Sequence, residues 1–99
     1  MVKGKTKNGF EFSIDENRLQ DIRVVDAIAT LDSEEDDIKR IGSLTTLRKV
    51  MLGKDSDRLL DYIHGLHGEE DLIPSKEVMD TLTEIIKIVA DKSKEIKNS

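Results

Sequence analysis

The chain has 99 residues, 36% of them hydrophobic and 37% charged, with a formal net charge of −5 and no cysteine. A single core of this size folds alone with a narrow margin. Disulfides and thiol chemistry are excluded, and the acidic balance disfavours direct nucleic-acid binding, because phosphate backbones repel such a surface. No run approaches the ~18 apolar residues that span a bilayer. Met1-Val2-Lys3-Gly4-Lys5 does not lead into an apolar signal core. A soluble cytosolic chain of one domain is therefore expected. Phe10, Phe12 and Tyr62 are the only aromatic residues, so the core must be aliphatic.

Asn8-Gly9 is a short-range hairpin signal and points to a type I′ turn, which needs positive φ at both central residues. Beyond it Phe10, Phe12 and Ile14 alternate with Glu11 and Ser13, the pattern of a strand with one apolar face. The partner strand lies in Val2 to Lys7. Two strands are marginal alone, so that face must rest on helices or on another chain.

Asp15 can cap a helix to about Leu31, with Leu19, Ile22, Val25, Ile28 and Ala29 at helical spacing. The run Asp32-Ser33-Glu34-Glu35-Asp36-Asp37 starts a second helical stretch, its carboxylates suiting a helix N-terminus. Ile38 and Ile41 face one way. Gly42-Ser43 predicts a break or kink. Leu44, Leu47, Val50 and Met51 continue to Leu52, and Gly53 is a natural stop. Asp55 or Ser56 caps a shorter helix carrying Leu59, Leu60, Ile63 and Leu66. After Pro74, with Ser75 as cap, comes the longest helix. Val78, Leu82, Ile85, Val89 and Ile96 fall on one line, with Met79, Ile86 and Ile88 on its flanks. The expected fold is mainly α: a small bundle of four to five helices with a short N-terminal β-hairpin. The single domain 1–99 divides into hairpin 1–14, bundle 15–96 and a frayed tail 97–99.

Chemistry is hard to place. His64 and His67, at i and i+3, can share a helix face, and Glu69, Glu70 or Asp71 could add oxygens; yet structural zinc needs four well-spaced ligands, and glycines loosen this scaffold. No Gly-x-Ser-x-Gly elbow or phosphate-cradling glycine loop is present, and the carboxylates sit in solvated clusters. No catalytic residue, metal ligand or cofactor is assigned, and the chain is expected not to be an enzyme. Recognition through a surface remains.

The order of segments then becomes informative. "GKTKNGFEFSIDEN", a helix with "VVDAIATLD", "LRKVMLG", and an acidic loop leading into "IPSKEVMDTLTEIIKIV" together resemble the tail assembly chaperones of long-tailed, siphovirus-type bacteriophages. The matching positions are Gly9, Phe10, Phe12, Ile14 and Asp15; Val24, Val25, Ala27 and Ile28; Leu52 and Gly53; and Pro74, Val78, Leu82, Ile85 and Ile86. The acidic run 32–37 and Gly42-Ser43 depart from the family's pattern. The resemblance implies a non-enzymatic protein of the host bacterial cytoplasm, absent from the finished virion. It would bind the tape measure protein, keep it soluble, and help recruit tail-tube subunits; many family members also occur as a longer frameshifted fusion.

The hairpin edge and the wide apolar arc of the last helix would suit such a protein, through self-association or by gripping a helical client. Phe10, Phe12, Ile88 and Val89 are the expected partner contacts, against the plainer alternative that they are ordinary core. A different class is a small acidic inhibitor or immunity-type protein that binds one basic partner through its acidic clusters.

Overall fold

A computed structural model describes residues 1–98, with side chains to Ser93. The chain is mainly helical behind a short antiparallel hairpin. β1 (Val2–Lys5) pairs with β2 (Glu11–Ile14) in the register Val2↔Ile14, Lys3↔Ser13, Gly4↔Phe12 and Lys5↔Glu11. A 3₁₀ turn (Glu16–Gln20) leads into α1 (Ile22–Ser33). α2 (Asp37–Leu52), a second 3₁₀ turn (Gly53–Asp55) and α3 (Ser56–Leu66) follow, and α4 spans Ser75–Asn98. The α2–turn–α3 stretch has no gap. Among the described residues, and apart from the 3₁₀ turn at 16–20, three continuous helical runs result, 22–33, 37–66 and 75–98, in place of the four to five separate helices that the breaker residues implied. The tail expected to fray at 97–99 reaches the limit of the described residues: α4 includes Asn98, and Ser99 lies outside them.

The hairpin turn differs from the type I′ expectation. Gly9 donates to the Thr6 carbonyl at 2.9 Å, and Thr6 donates to the Phe10 carbonyl at 3.0 Å. Gly9 has φ +94°, but Asn8 does not share a positive φ. This is a three-residue loop with a left-handed glycine at its end, a geometry that asks for one permissive residue where type I′ needs two. The Asn8 side chain is thereby free to work elsewhere. Its Oδ1 accepts from the Thr6 hydroxyl at 2.5 Å, and its Nδ2 donates to Thr81 Oγ1 of α4 at 3.1 Å.

Two helix starts also moved. Asp15 caps only the 3₁₀ turn, accepting from Asn17 N at 2.9 Å, and Asp21 restarts the chain by accepting from Arg23 N at 2.9 Å. A second Asp able to bind its own downstream N–H competes with continued helix, so one expected helix became a turn and a helix. The helix proposed after Asp55 has no side-chain cap at all. It grows straight out of the preceding turn, where the Ser56 N–H already reaches the Gly53 carbonyl. In α4, Pro74 rather than Ser75 supplies the first acceptor, taking bonds from Glu77 and Val78 at 3.1 and 3.2 Å.

The Gly42-Ser43 break is absent: α2 runs through both residues. A helical glycine costs about 1 kcal/mol relative to alanine. Downstream, Leu47, Val50, Met51 and Leu52 are all buried, each contributing roughly 1.5–3 kcal/mol, which outweighs it. Gly53, at φ +56°, is where the run bends. Arg48 crosses that bend, donating to the Ser56 carbonyl at 3.2 Å and lying 3.6 Å from Asp57.

One core joins the hairpin to the helices. Phe10, Phe12 and Ile14 of the hairpin meet Val24 and Ala27 of α1, Leu47 and Met51 of α2, Leu59 and Ile63 of α3, and Val78, Leu82, Ile85 and Val89 of α4. The line of apolar residues along α4 is thus consumed inside its own fold; the side chain of Ile96 lies outside the described residues.

Candidate functional site

The expected partner contacts do not form a surface. Phe10 and Val89 are 0% exposed and Phe12 is buried beside them. Ile88 is half-buried against the hairpin. Its Cγ2 stands 3.2 Å from where a Cβ on Gly4 would lie, and Phe12 is closer still. Alternation puts Phe10, Phe12 and Ile14 on one face of the sheet; α4 and α3 cover that face, so no partner reaches it in the folded chain.

The hairpin edges are also occupied. The Arg58 guanidinium donates to the Glu11 carbonyl on the β2 side at 2.8 Å, and it stacks 4.5 Å above the Phe10 ring. The Lys92 ammonium donates to the Lys3 carbonyl on the β1 side. At the tip, Tyr62 donates to the Asn8 carbonyl at 2.7 Å and Lys7 N donates to Glu84 at 2.8 Å. Cations reaching the two edges from α3 and α4 disfavour the addition of another strand. The hairpin is thereby pinned to α3 and α4.

His64 and His67 turn to different acids. His64 Nε2 lies 2.7 Å from Asp71 Oδ1, and His67 Nε2 lies 2.5 Å from Glu77 Oε2. These pairs close the loop between α3 and α4, with Asp71 held at φ +52°. Among the described residues no three His, Asp or Glu side chains gather as metal ligands would.

Apolar side chains do reach solvent elsewhere. Ile22 and Val25 stand out from α1; Ile38 and Ile41, 81% and 58% exposed, stand out from the first half of α2; Leu72 and Ile73 follow in the loop before α4. Ile41 of the second group and Ile73 of the third converge. Between α2, the end of α1 and the start of α4 runs a groove made of two adjoining cavities, about 480 and 200 Å³, which share Ile41, Leu44 and Ser75. Leu31 and Met79 line one end; Leu60, Ile73 and Val78, with Thr45 and Arg48, line the other.

Arg40 sits in this groove without a matching acid. Its Nη2 is 3.9 Å from the Met79 sulfur, its Nε is sealed from solvent with no hydrogen-bond partner, and no carboxylate lies within ion-pair distance among the described residues. A buried donor left unpaired costs about 1–3 kcal/mol. Lys76 also lines the cavity, as does Asp37.

A faint sign of this face lies in the spacing of the apolar residues of α2. Ile38, Ile41, Leu44, Leu47 and Val50 recur every three residues, while a helix turns every ~3.6. The apolar positions therefore wind around α2. Its later members enter the core, and its earlier ones emerge on a different side. No family model, curated protein or solved structure matches the chain.

Proposed function

We propose that the chain is a tail assembly chaperone of a long-tailed bacteriophage, one that binds and solubilises the tape measure protein and helps bring tail-tube subunits to it. The observation that carries this reading is the resemblance in segment order, from Gly9-Phe10-Glu11-Phe12-Ser13-Ile14-Asp15 to the Pro74-initiated final helix. The exposed Ile38, Ile41, Leu72 and Ile73 support it, because a protein that shields an apolar client needs accessible apolar area. The reading places the chain in the host cytoplasm and outside the finished virion, working without catalysis. Among the described residues no helix is long and apolar enough to cross a membrane.

The test is co-expression with a fragment of tape measure protein. The account expects the fragment to stay soluble and to co-purify with the chain; a fragment that aggregates equally with and without it would refute the reading. The acidic-inhibitor alternative has one observation in its favour: Glu69, Glu70 and Asp71 are all exposed on one loop. It calls for a one-to-one complex with a basic protein that weakens steeply with salt, whereas an apolar client complex holds.

A further inference from the structure

We infer that the groove between α2 and α4 binds an amphipathic helix whose apolar face carries one acidic residue, and that Arg40 selects that residue. The idea rests on the chaperone reading only for the identity of the natural occupant.

Shape is the first ground. The two cavities run end to end and share Ile41, Leu44 and Ser75, so the depression is long rather than round. A long apolar trough between helices suits a third helix laid into it. The exposed Ile41 and Ile73 line the trough and would be covered by such a helix.

Charge is the second ground. Arg40 Nε is unpartnered and shielded, and the nearby Nη2 faces only the Met79 sulfur. Among the described residues, three of the other arginines have acids at hand: Arg23 has Asp21 at 2.8 Å, Arg48 has Asp57, and Arg58 has Asp55, both at 3.6 Å; Arg18 has none but is exposed to solvent. Arg40 shares its cavity with Leu31, Ile41, Leu44 and Met79, and with Lys76 and Asp37, of which Asp37 does not come within ion-pair distance of it. A carboxylate brought in by an occupant would complete it, in the short charge-assisted geometry that a guanidinium favours. A purely apolar helix would bury the cation unpaired, and a basic one would repel it. The same apolar lining and overall negative charge argue against a nucleic acid.

The experiment uses the whole chain and a synthetic 18-residue peptide of leucine and alanine at helical spacing with one central glutamate, alongside versions carrying glutamine or lysine there. Fluorescence anisotropy reports binding. The glutamate peptide is expected to bind at least about tenfold more tightly than the glutamine one, and the lysine peptide more weakly still. Arg40→Met should erase the difference between glutamate and glutamine, the signature of a direct pair in a double-mutant cycle. Ile41→Glu, at an exposed position that leaves the core intact, should abolish binding of all three.

Equal affinity for glutamate and glutamine peptides overturns the inference. So does binding that survives Ile41→Glu, or a dimer of the chain that Ile41→Glu dissolves, since a second copy would then fill the groove. Co-expression separates this from the functional reading. A tape measure fragment kept soluble by both the wild type and Ile41→Glu defeats the groove and leaves the chaperone standing. A fragment that neither rescues, with the peptide bound as expected, defeats the chaperone and leaves the groove.

Discussion

Replacing Arg40 by methionine should make the free protein more stable. Arg40 Nε is a donor cut off from both water and protein, and a group in that position costs about 1–3 kcal/mol. The residue as a whole is half-buried, so its other guanidinium nitrogens retain some solvent and the low end applies. Methionine keeps an unbranched apolar stem against Met79 and Leu44 without the stranded donor. Arginine and methionine have similar helix propensities, so α2 itself is not perturbed. The expected gain is about 1 kcal/mol, or roughly 4–8 °C in Tm for a domain of this size. Urea denaturation followed by circular dichroism measures it; the slope with denaturant should stay constant while the midpoint rises. A loss of more than about 1 kcal/mol would refute the reasoning, because it would mean that the guanidinium already stabilises the isolated fold.

Leu82→Ala, at a position with 0% exposure, should cost about 2–5 kcal/mol in the same urea assay. Tyr62→Phe removes the hydroxyl that donates to the Asn8 carbonyl and should cost about 0.5–1.5 kcal/mol. Gly9→Ala places a side chain at φ +94° with its Cβ against that same hydroxyl, so its loss, roughly 1–2 kcal/mol from backbone strain alone, should shrink in the Tyr62→Phe background. Acid titration addresses Asp21. Hydrogen bonds from the Arg23 side chain foremost, and then from its backbone N–H, hold this carboxyl at about 2, below the ordinary 3.8. A depressed carboxyl stabilises the fold above its ordinary value and loses that contribution as pH falls from 3.8 through about 2. Asp21→Asn should flatten this part of the stability profile.

The hairpin was legible because two local signals agreed, Asn8-Gly9 and the Phe10/Phe12/Ile14 alternation. Its turn class was not, since one left-handed glycine suffices when the loop holds three residues. Helix α4 was legible for a similar reason: Val78, Leu82, Ile85 and Val89 keep one line throughout, and all four are buried. Local punctuation failed where tertiary packing opposed it. Gly42-Ser43 predicts a break, but the buried second half of α2 carries the helix through. At Asp21 a polar side chain ended one helix and began another, although the apolar spacing across it is continuous.

The groove was the least legible feature. Phe10, Phe12, Ile88 and Val89 were expected at a partner surface because they are the most apolar residues of their segments, which is also why they are in or against the core. Ile38 and Ile41 are no more apolar. They are exposed because a spacing of three residues slips around the helix, carrying the start of α2 off the face that its end buries. Nothing local distinguishes Arg40; its setting depends on Met79, 39 positions further along the chain.

The central proposal is that the groove between α2 and α4 holds an amphipathic helical client that carries an acidic residue. Methyl NMR of the chain, with isoleucine, leucine and methionine labelled, tests it most directly when a tape measure fragment is added. The account predicts shifts at Ile41, Leu44, Ile73 and Met79, while the core methyls of Ile63 and Ile85 stay in place. A fragment that leaves the groove methyls unmoved, or shifts only residues beside the acidic loop at 69–71, would contradict it.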